Sequence, residues 1–547
     1  MSPESSTDRG PTPSTLRTRA WILLLLFLLA LRLPSLTHPA GGDQSLYLYS
    51  GQRVLAGDTP YVDVWDQKPP GIMFVYALLW AIWPDEPVVP AADLAAAALT
   101  AWLLVVLGRR LYSSSAGFGA AAAYLFLSDP ALLRLGGLNV RGQCETFIVP
   151  AVVLSLVLAT TPRRRAWHLI LAGMSLELAC WLKYNAAAYA LPLLVAVLRY
   201  ESPAGSDRKR RLRDLSLVAA GGAVIGLLGL GHFAARGALD ELWRATIGYN
   251  LQYSGETYGG PLGALAYLVS MPIQRARVDL LWFLGLAGAA VLAAHWRRDR
   301  SAGLVLAWIA AVVISIAVNG ARGLPQYFIQ APPALALAFA AGLAMVWDRR
   351  PARIAALILI AVGLWRVGSE PTPFWRPRLG GLPSIASNLS IDMAALTGRM
   401  DARAHLARFT REDGGGKFPI VTVSDLADRI RSMTRPDDPI LVFGFAGGGV
   451  LSRSDRVSAS RFFWSRPVVV EFARGVPGYG SDGLLEDLRA RPPAVVVLQK
   501  HDWRLGEPNV QNSIEFFMGH PALRPWLEAG YRLEDDNADF AIWRRQS

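Results

Sequence analysis

The chain predicts an α-helical, polytopic membrane protein of about eleven transmembrane helices with a C-terminal α/β domain outside the membrane. Three observations carry that prediction. Of 547 residues, 52% are hydrophobic and only 18% charged, and the mean hydropathy is +0.28. Apolar runs of roughly 17 to 24 residues, the length a helix needs to cross a bilayer, recur along the first two thirds of the chain. Arginines gather in the short loops after alternate runs, as the positive-inside rule requires. The net charge of +12 therefore belongs to loops at one membrane face and not to a nucleic-acid surface. Cys144 and Cys180 are too few for a disulfide framework and read as two thiols or a single bridge.

Residues 1–19, rich in Ser, Thr and Pro, read as a disordered cytoplasmic tail. The run from Trp21 to Leu31 has no small-residue cleavage site after it and reads as the first transmembrane helix. The helix count then turns on Ile72 to Trp83. A span there would put Arg109 and Arg110 outside and invert every later basic loop, and the piece is short for a span. Residues 37–89 are therefore expected to form one external loop carrying a re-entrant or interfacial helix. Spans follow at about 90–108, 114–128, 144–160, 166–182, 184–198, 215–233, 279–296, 302–319, 325–347 and 353–368, with an external loop at 236–278. The membrane domain so defined covers 20–370. Residues 371–547 alternate short β-like and helix-like runs and predict a small α/β domain on the extracytoplasmic side. Gly447-Gly448-Gly449 follows the first of those strands without the spacing of a dinucleotide fingerprint.

The polar residues with chemical potential collect on one face. They are Asp43, Asp58, Asp63, Asp66 and Lys68 in the first loop, Arg141 and Glu145 in the second, Lys183 after the fifth helix, and Arg322, Gln326 and Tyr327 in the late turn. Only five of the 55 basic residues are lysines, so Lys68 and Lys183 carry more information than an arginine would. Carboxylates beside cations at a bilayer surface suit glycosyl transfer from a lipid phosphate: a carboxylate takes the proton of an acceptor hydroxyl, and cations hold the leaving phosphate. Bland readings stand beside these. Asp43 could cap a helix, Lys68 could snorkel to headgroups, and Glu145 with Lys183 could form a structural bridge. Glu177, inside the fifth helix, has no assigned role. The aromatics of 236–278 suit either sugar stacking or interfacial anchoring.

The Gly-Asp-Gln-Ser-Leu-Tyr of 42–47, Leu-Ala-Gly-Asp-Thr-Pro-Tyr of 55–61, Asp-Gln-Lys-Pro-Pro-Gly of 66–71 and Trp-Leu-Lys-Tyr-Asn of 181–185 resemble the family-39 type of GT-C membrane glycosyltransferases. That group includes the protein O-mannosyltransferases, the lipid A aminoarabinose transferase and the RgtA/B/C/D-like enzymes. The resemblance spans residues 15–350 and reaches the C-terminal domain only in outline. It implies a GT-C fold in the cell membrane and transfer of a sugar, normally with inversion, from a polyprenyl-phosphate donor to an envelope glycan, lipid or protein. It further implies catalytic roles for Asp43, Asp66 and Glu145. Substrate-binding roles fall to Lys68, Tyr61, Arg141, Lys183, Arg322, Gln326 and Tyr327. Gln44 and Gln326 depart from the family pattern, which often has an acid and a histidine at those places. No Asp-x-Asp pair or histidine cluster marks a metal site, no cofactor is implied, and metal dependence is left open. The rival reading is a transporter or flippase of lipid-linked saccharides, which would place charges and broken helices at the midplane in related halves.

Overall fold

The computed structural model describes residues 13–128, 140–199, 208–255, 257–258, 260–369, 382–409, 417–504, 507 and 509–546. The tail up to residue 12, the second-loop residues Asp129, Arg134 and Asn139, and the boundary expected at 370 lie outside them. The membrane body consists of α1 (Pro13–Arg32), α2 (Gly42–Leu55), α3 (Gly71–Ile82), α4 (Val88–Leu111), α5 (Ser114–Leu127), α6 (Cys144–Ala159), α7 (Ala166–Leu182) and α8 (Ala190–Arg199). It continues through α9 (Arg208–Ala235), α10 (Leu239–Trp243), α11 (Tyr249–Gly255), α12 (Pro261–Val278), α13 (Leu280–His295), α14 (Arg300–Val318), α15 (Pro332–Val346) and α16 (Arg350–Ser369).

Eleven of these fall where a span is expected, and four (the segments Thr18–Thr37, Val88–Leu111, Arg208–Ala235 and Arg300–Val318) are long and apolar enough to cross a bilayer on their own. α8 and α15 gain length from the 3-10 turns Tyr184–Tyr189 and Pro325–Gln330 that lead into them. Apolar side chains such as Leu227 and Leu228 of α9 face outward, as they do against lipid. The piece expected to be a short helix is α3. Its 12 residues reach about 18 Å, well under a bilayer's hydrocarbon thickness. Glu177 lies on α7 where that helix packs on α9.

The C-terminal unit holds α17 (Leu382–Leu396), α18 (Ala402–Phe409), α19 (Ile420–Met433), β1 (Ile440–Phe443), α20 (Gly447–Ser454), α21 (Arg466–Val469), α22 (Gly480–Ala490), β2 (Val495–Gln499), α23 (Ser513–Gly519), α24 (Leu523–Gly530), β3 (Tyr531–Asp536) and β4 (Phe540–Arg545). Its sheet has the order β1-β2-β4-β3, with β1 and β2 parallel and the other pairs antiparallel. β1 and β2 are buried along their whole length, which accounts for their unbroken apolar runs.

This unit is docked on the first loop. α20 lies along α2, and Gly448 makes that possible: a Cβ there would sit 2.8 Å from the Cα of Leu46 and 2.9 Å from its nitrogen. The glycine triplet is thus a packing device that lets two helices approach backbone to backbone. Ser458 N donates to the Tyr49 hydroxyl (2.8 Å), and Trp65 N to the Arg461 carbonyl (3.0 Å). His38, just past the 3-10 turn Leu33–Thr37 that follows α1, joins Asp392, His405 and Arg408 of helices α17 and α18 in a knot of ion pairs.

Candidate functional site

Four segments meet at one cavity of about 300 Å³, at the low end of the size range of small-molecule sites. They are the start of α2, the 66–70 turn, the α6 entry with the α7–α8 junction, and the Pro325–Gln330 turn. The π-helical turn Arg244–Gly248 and α11 close the remaining side.

Asp43 stands in the first turn of α2, where the helix dipole favours an anion. Its carboxylate is 3.9 Å from Lys68 Nζ and accepts from Gln326 Nε2 at 3.3 Å. Lys68 Nζ is also 3.9 Å from the fully buried Asp66 and lies 4.9 Å over the Tyr47 ring. Burial alone would lower the Lys68 pKa. Asp66 and Asp43 outweigh it and hold the ammonium above its ordinary value, so Lys68 is a fixed cation.

The backbone that presents Lys68 is pinned from two directions. Tyr61 donates its hydroxyl to the Lys68 carbonyl (2.8 Å), and Asn250 donates to the Gln67 carbonyl (2.6 Å). Gly71 then starts α3 against the backbone of Trp181, so close that a Cβ would overlap it. That contact brings the end of α7, and so Lys183, next to the Lys68 turn.

Lys183 caps α7 and donates to Glu145 at 2.6 Å. It also lies 4.3 Å over the Tyr327 ring. Glu145, 1% exposed, is in the first turn of α6, again at a favourable dipole end. The α6 entry is fixed by Asp93, which accepts from Gly142 N at 3.1 Å, and by Tyr76, whose hydroxyl donates to the Gly142 carbonyl.

Of the residues expected at the site, Asp43, Lys68, Glu145, Lys183, Gln326 and Tyr327 line the cavity. Asp66 stands one layer back, behind Lys68. Three others point elsewhere. Tyr61 is buried under Lys68, with its ring 5.7 Å from that of Phe233. Arg141 is buried beside Asp93 (3.7 Å), and its carbonyl takes a hydrogen bond from Gln44. Arg322 lies over the Tyr253 ring (3.7 Å) and beside Glu507. Asp58 pairs with Arg53, and Asp63 accepts from Thr59 N.

Sequence reasoning missed Tyr47, Gln67, Gln143, Tyr184, Asn185, Thr246 and Asn319, which together with Asn250 supply aromatic, amide and hydroxyl surface to the cavity. Helical spacing could have found Tyr47, one turn after Asp43 on the same face. Tyr253 of the loop also lines the cavity, which favours the sugar-facing reading of that loop for this residue; Trp243 is exposed and away from it. Among the described residues no group of three or more His, Cys, Asp or Glu is placed to hold a metal ion. Cys144 and Cys180 are free thiols.

Neither a family model nor a curated protein matches the chain. Among solved structures it is similar to ArnT from Cupriavidus metallidurans bound to undecaprenyl phosphate. Identity is 17% and the TM-score 0.58, over 97% of this chain and 98% of that one. The apo state of the same protein gives 16%, 0.55, 97% and 98%. The apo oligosaccharyltransferase of Archaeoglobus fulgidus gives 13% and 0.46, over 89% of this chain and 72% of that one. The likeness to ArnT runs through the membrane body and the C-terminal unit, and it establishes a shared fold.

Proposed function

We propose that this protein is an integral-membrane glycosyltransferase that moves a sugar from a polyprenyl-phosphate donor to a hydroxyl of an envelope acceptor. The observation that carries the reading is the pairing inside one cavity of a carboxylate at a helix N-terminus, Asp43, with two lysines, Lys68 and Lys183. The likeness of fold to a protein crystallised with undecaprenyl phosphate supports the choice of donor. So does the crowding of charge at one end of the helices rather than at their middle, which disfavours a transporter.

In the proposed step the acceptor oxygen attacks the anomeric carbon while its proton passes to Asp43. The bond from that carbon to the phosphate oxygen breaks, and the polyprenyl phosphate leaves with the electron pair. Lys68 and Lys183 neutralise it there. Both lysines start paired to carboxylates, so donor phosphate draws Lys68 from Asp43 and frees that carboxylate to act as base. Attack opposite the leaving group inverts the anomeric centre. The arginine-rich loops support a topology with the α1 N-terminus in the cytoplasm and the cavity and C-terminal unit outside it.

Undecaprenyl phosphate binding to the full-length protein in nanodiscs tests this. Lys68→Gln should weaken binding by about tenfold or more, the range of a charge-assisted contact. Equal affinity in the variant removes Lys68 from the donor site.

A further inference from the structure

A second cavity lies behind the α6 entry and the Pro325–Gln330 turn. Glu145 and Tyr327 face the first cavity, whereas their neighbours Thr146 and Phe328 face the second. The second measures about 50 Å³, room for roughly four water-sized groups: enough for one phosphate and too little for a sugar. Its other walls are the end of α1, the start of α4, the end of α5 and the junction of α12 with α13. The proposed topology puts all of these on the extracytoplasmic side. Ser128, Arg275 and Ile329 in its lining are half-buried, so the cavity meets the surface beside them.

Arg32, the last residue of α1, lines this cavity and is only 5% exposed. Its Nε and Nη2 donate to the Leu125 carbonyl (3.2 and 2.6 Å), and Nη2 donates also to Ser128 Oγ (3.0 Å). Those bonds tie α1 to the open carbonyl end of α5, and all of their acceptors are neutral. Among the described residues Arg32 has no ion pair, and its Nη1 takes no part in those bonds. The two carboxylates of the cavity are committed elsewhere. Asp93 accepts from Gly142 N (3.1 Å) and Thr146 Oγ1 (3.3 Å) and faces Arg141 at 3.7 Å. Asp279 caps α13 through Leu281 N (2.9 Å) and faces Arg275 at 3.6 Å, while Arg275 lies 4.3 Å over the Phe328 ring. The α5 terminus offsets only part of the Arg32 charge, and a buried guanidinium is costly until an anion meets it.

We infer that this cavity binds the phosphate of a phospholipid headgroup from the extracytoplasmic leaflet, with Arg32 Nη1 as the donor that meets it. The surroundings select a lipid over a free anion. Leu23, Leu26 and Phe27 of α1 are exposed apolar side chains, as they are against acyl chains, and Leu33 beside Arg32 is exposed too. Arg32 stands where that lipid-facing surface ends, at headgroup level, and turns inward over a pocket of phosphate size. The site is separate from the Lys68 cavity. It takes only its leaflet from the proposed topology and owes nothing to the transfer reaction.

The probe is phosphatidylglycerol, added to full-length protein in dodecyl maltoside, a detergent without phosphate, with bound lipid counted by native mass spectrometry. Arg32→Gln should weaken retention of the lipid by about tenfold, and Arg32→Lys, which keeps the charge, should stay within about threefold of wild type. Ala97→Leu fills the cavity from α4 and leaves the Arg32 bonds to α5 in place, so it should lose the lipid as Arg32→Gln does. That variant guards against the case in which Arg32→Gln merely loosens α5. The lipid should raise the melting temperature of wild type and Arg32→Lys and leave that of the other two unchanged. Wild-type retention in Arg32→Gln or in Ala97→Leu, or no lipid retained by wild type, overturns the site. Inorganic phosphate at the same concentration should stabilise wild type less than the lipid does; an equal effect would make the ligand a free anion and overturn the lipid. One equivalent of undecaprenyl phosphate should leave phosphatidylglycerol in place, and its displacement would put the lipid in the Lys68 cavity and overturn the separate site. Because lipid retention is read and not transfer, failure of the glycosyltransferase reading leaves this result to stand or fall alone.

Discussion

Gly448→Ala tests whether the C-terminal unit holds the helix that bears Asp43. The added methyl would meet Leu46 Cα at 2.8 Å, Leu46 N at 2.9 Å and Ser45 O at 2.9 Å. All three are main-chain atoms of α2, so no rotamer change relieves the overlap. Restoring ordinary contact near 3.5 Å needs the two helices to part by about 0.6 Å. Overpacking of this kind costs about 1–3 kcal/mol, from which the better helix propensity of alanine returns up to about 1 kcal/mol. The net expectation is a loss of about 1–2 kcal/mol and a melting temperature lower by roughly 1–4 °C. The displaced helix carries Asp43 one turn before Leu46. A shift of about half an ångström there should slow donor turnover in membranes by roughly tenfold, while undecaprenyl phosphate binding through Lys68 and Lys183 stays within about twofold. Gly231→Ala on α9, where nothing lies within 4 Å of the new methyl, is the control and should leave turnover at the wild-type level. Wild-type turnover and melting in Gly448→Ala would refute the idea that α20 positions α2.

Three further outcomes follow from particular contacts. Lys183→Met leaves the buried Glu145 carboxylate without its 2.6 Å partner and should cost about 3–5 kcal/mol, most of it recovered in the Glu145→Gln/Lys183→Met double variant; thermal melts of both decide it. Tyr61→Phe removes the 2.8 Å hydrogen bond to the Lys68 carbonyl, about 1 kcal/mol, and should weaken undecaprenyl phosphate several-fold without changing the pH profile. His38 is brought down to about 4 by burial first, with Arg141 adding to the shift, so it is neutral in the folded protein. Because its folded value lies below its unfolded one, the stability it contributes is full above about pH 6.5 and is lost as pH falls from there to about 4, at about 1.4 kcal/mol per unit. His38→Gln should flatten melting temperature against pH across that window; an unchanged slope would assign the acid sensitivity to other groups.

The helices were legible because two independent regularities agree on them: apolar length and arginine parity. That agreement is why α3 reads as a short piece that does not span, with Asp43, Asp66 and Lys68 on one continuous segment. The lysines were legible through their rarity. What the sequence could not supply is direction. Arg141, Arg322 and Tyr61 have the right chemistry in the right loops, yet Arg141 turns to Asp93, Arg322 to Glu507 and Tyr253, and Tyr61 under Lys68. Contacts between distant segments were equally hidden. Nothing local in Gly447-Gly448-Gly449 announces a fit against Leu46 some 400 residues earlier; the triplet could only be set against a dinucleotide fingerprint, whose spacing it lacks. The amide and aromatic lining from Tyr184 and Asn185 was missed for the same reason: each sits in a segment whose polar residues become a wall only when the bundle closes.

The central claim is that Asp43 is the base of a transfer from a polyprenyl-phosphate sugar. The most direct measurement is mass spectrometry of membrane lipids from cells lacking the protein, complemented with wild type or with Asp43→Asn at equal expression. The account predicts that a polyprenyl-phosphate-linked sugar accumulates in the deletion, is cleared by wild type, and persists with Asp43→Asn, which still binds undecaprenyl phosphate. Clearance by Asp43→Asn at the wild-type rate, or no such lipid in the deletion, would contradict it.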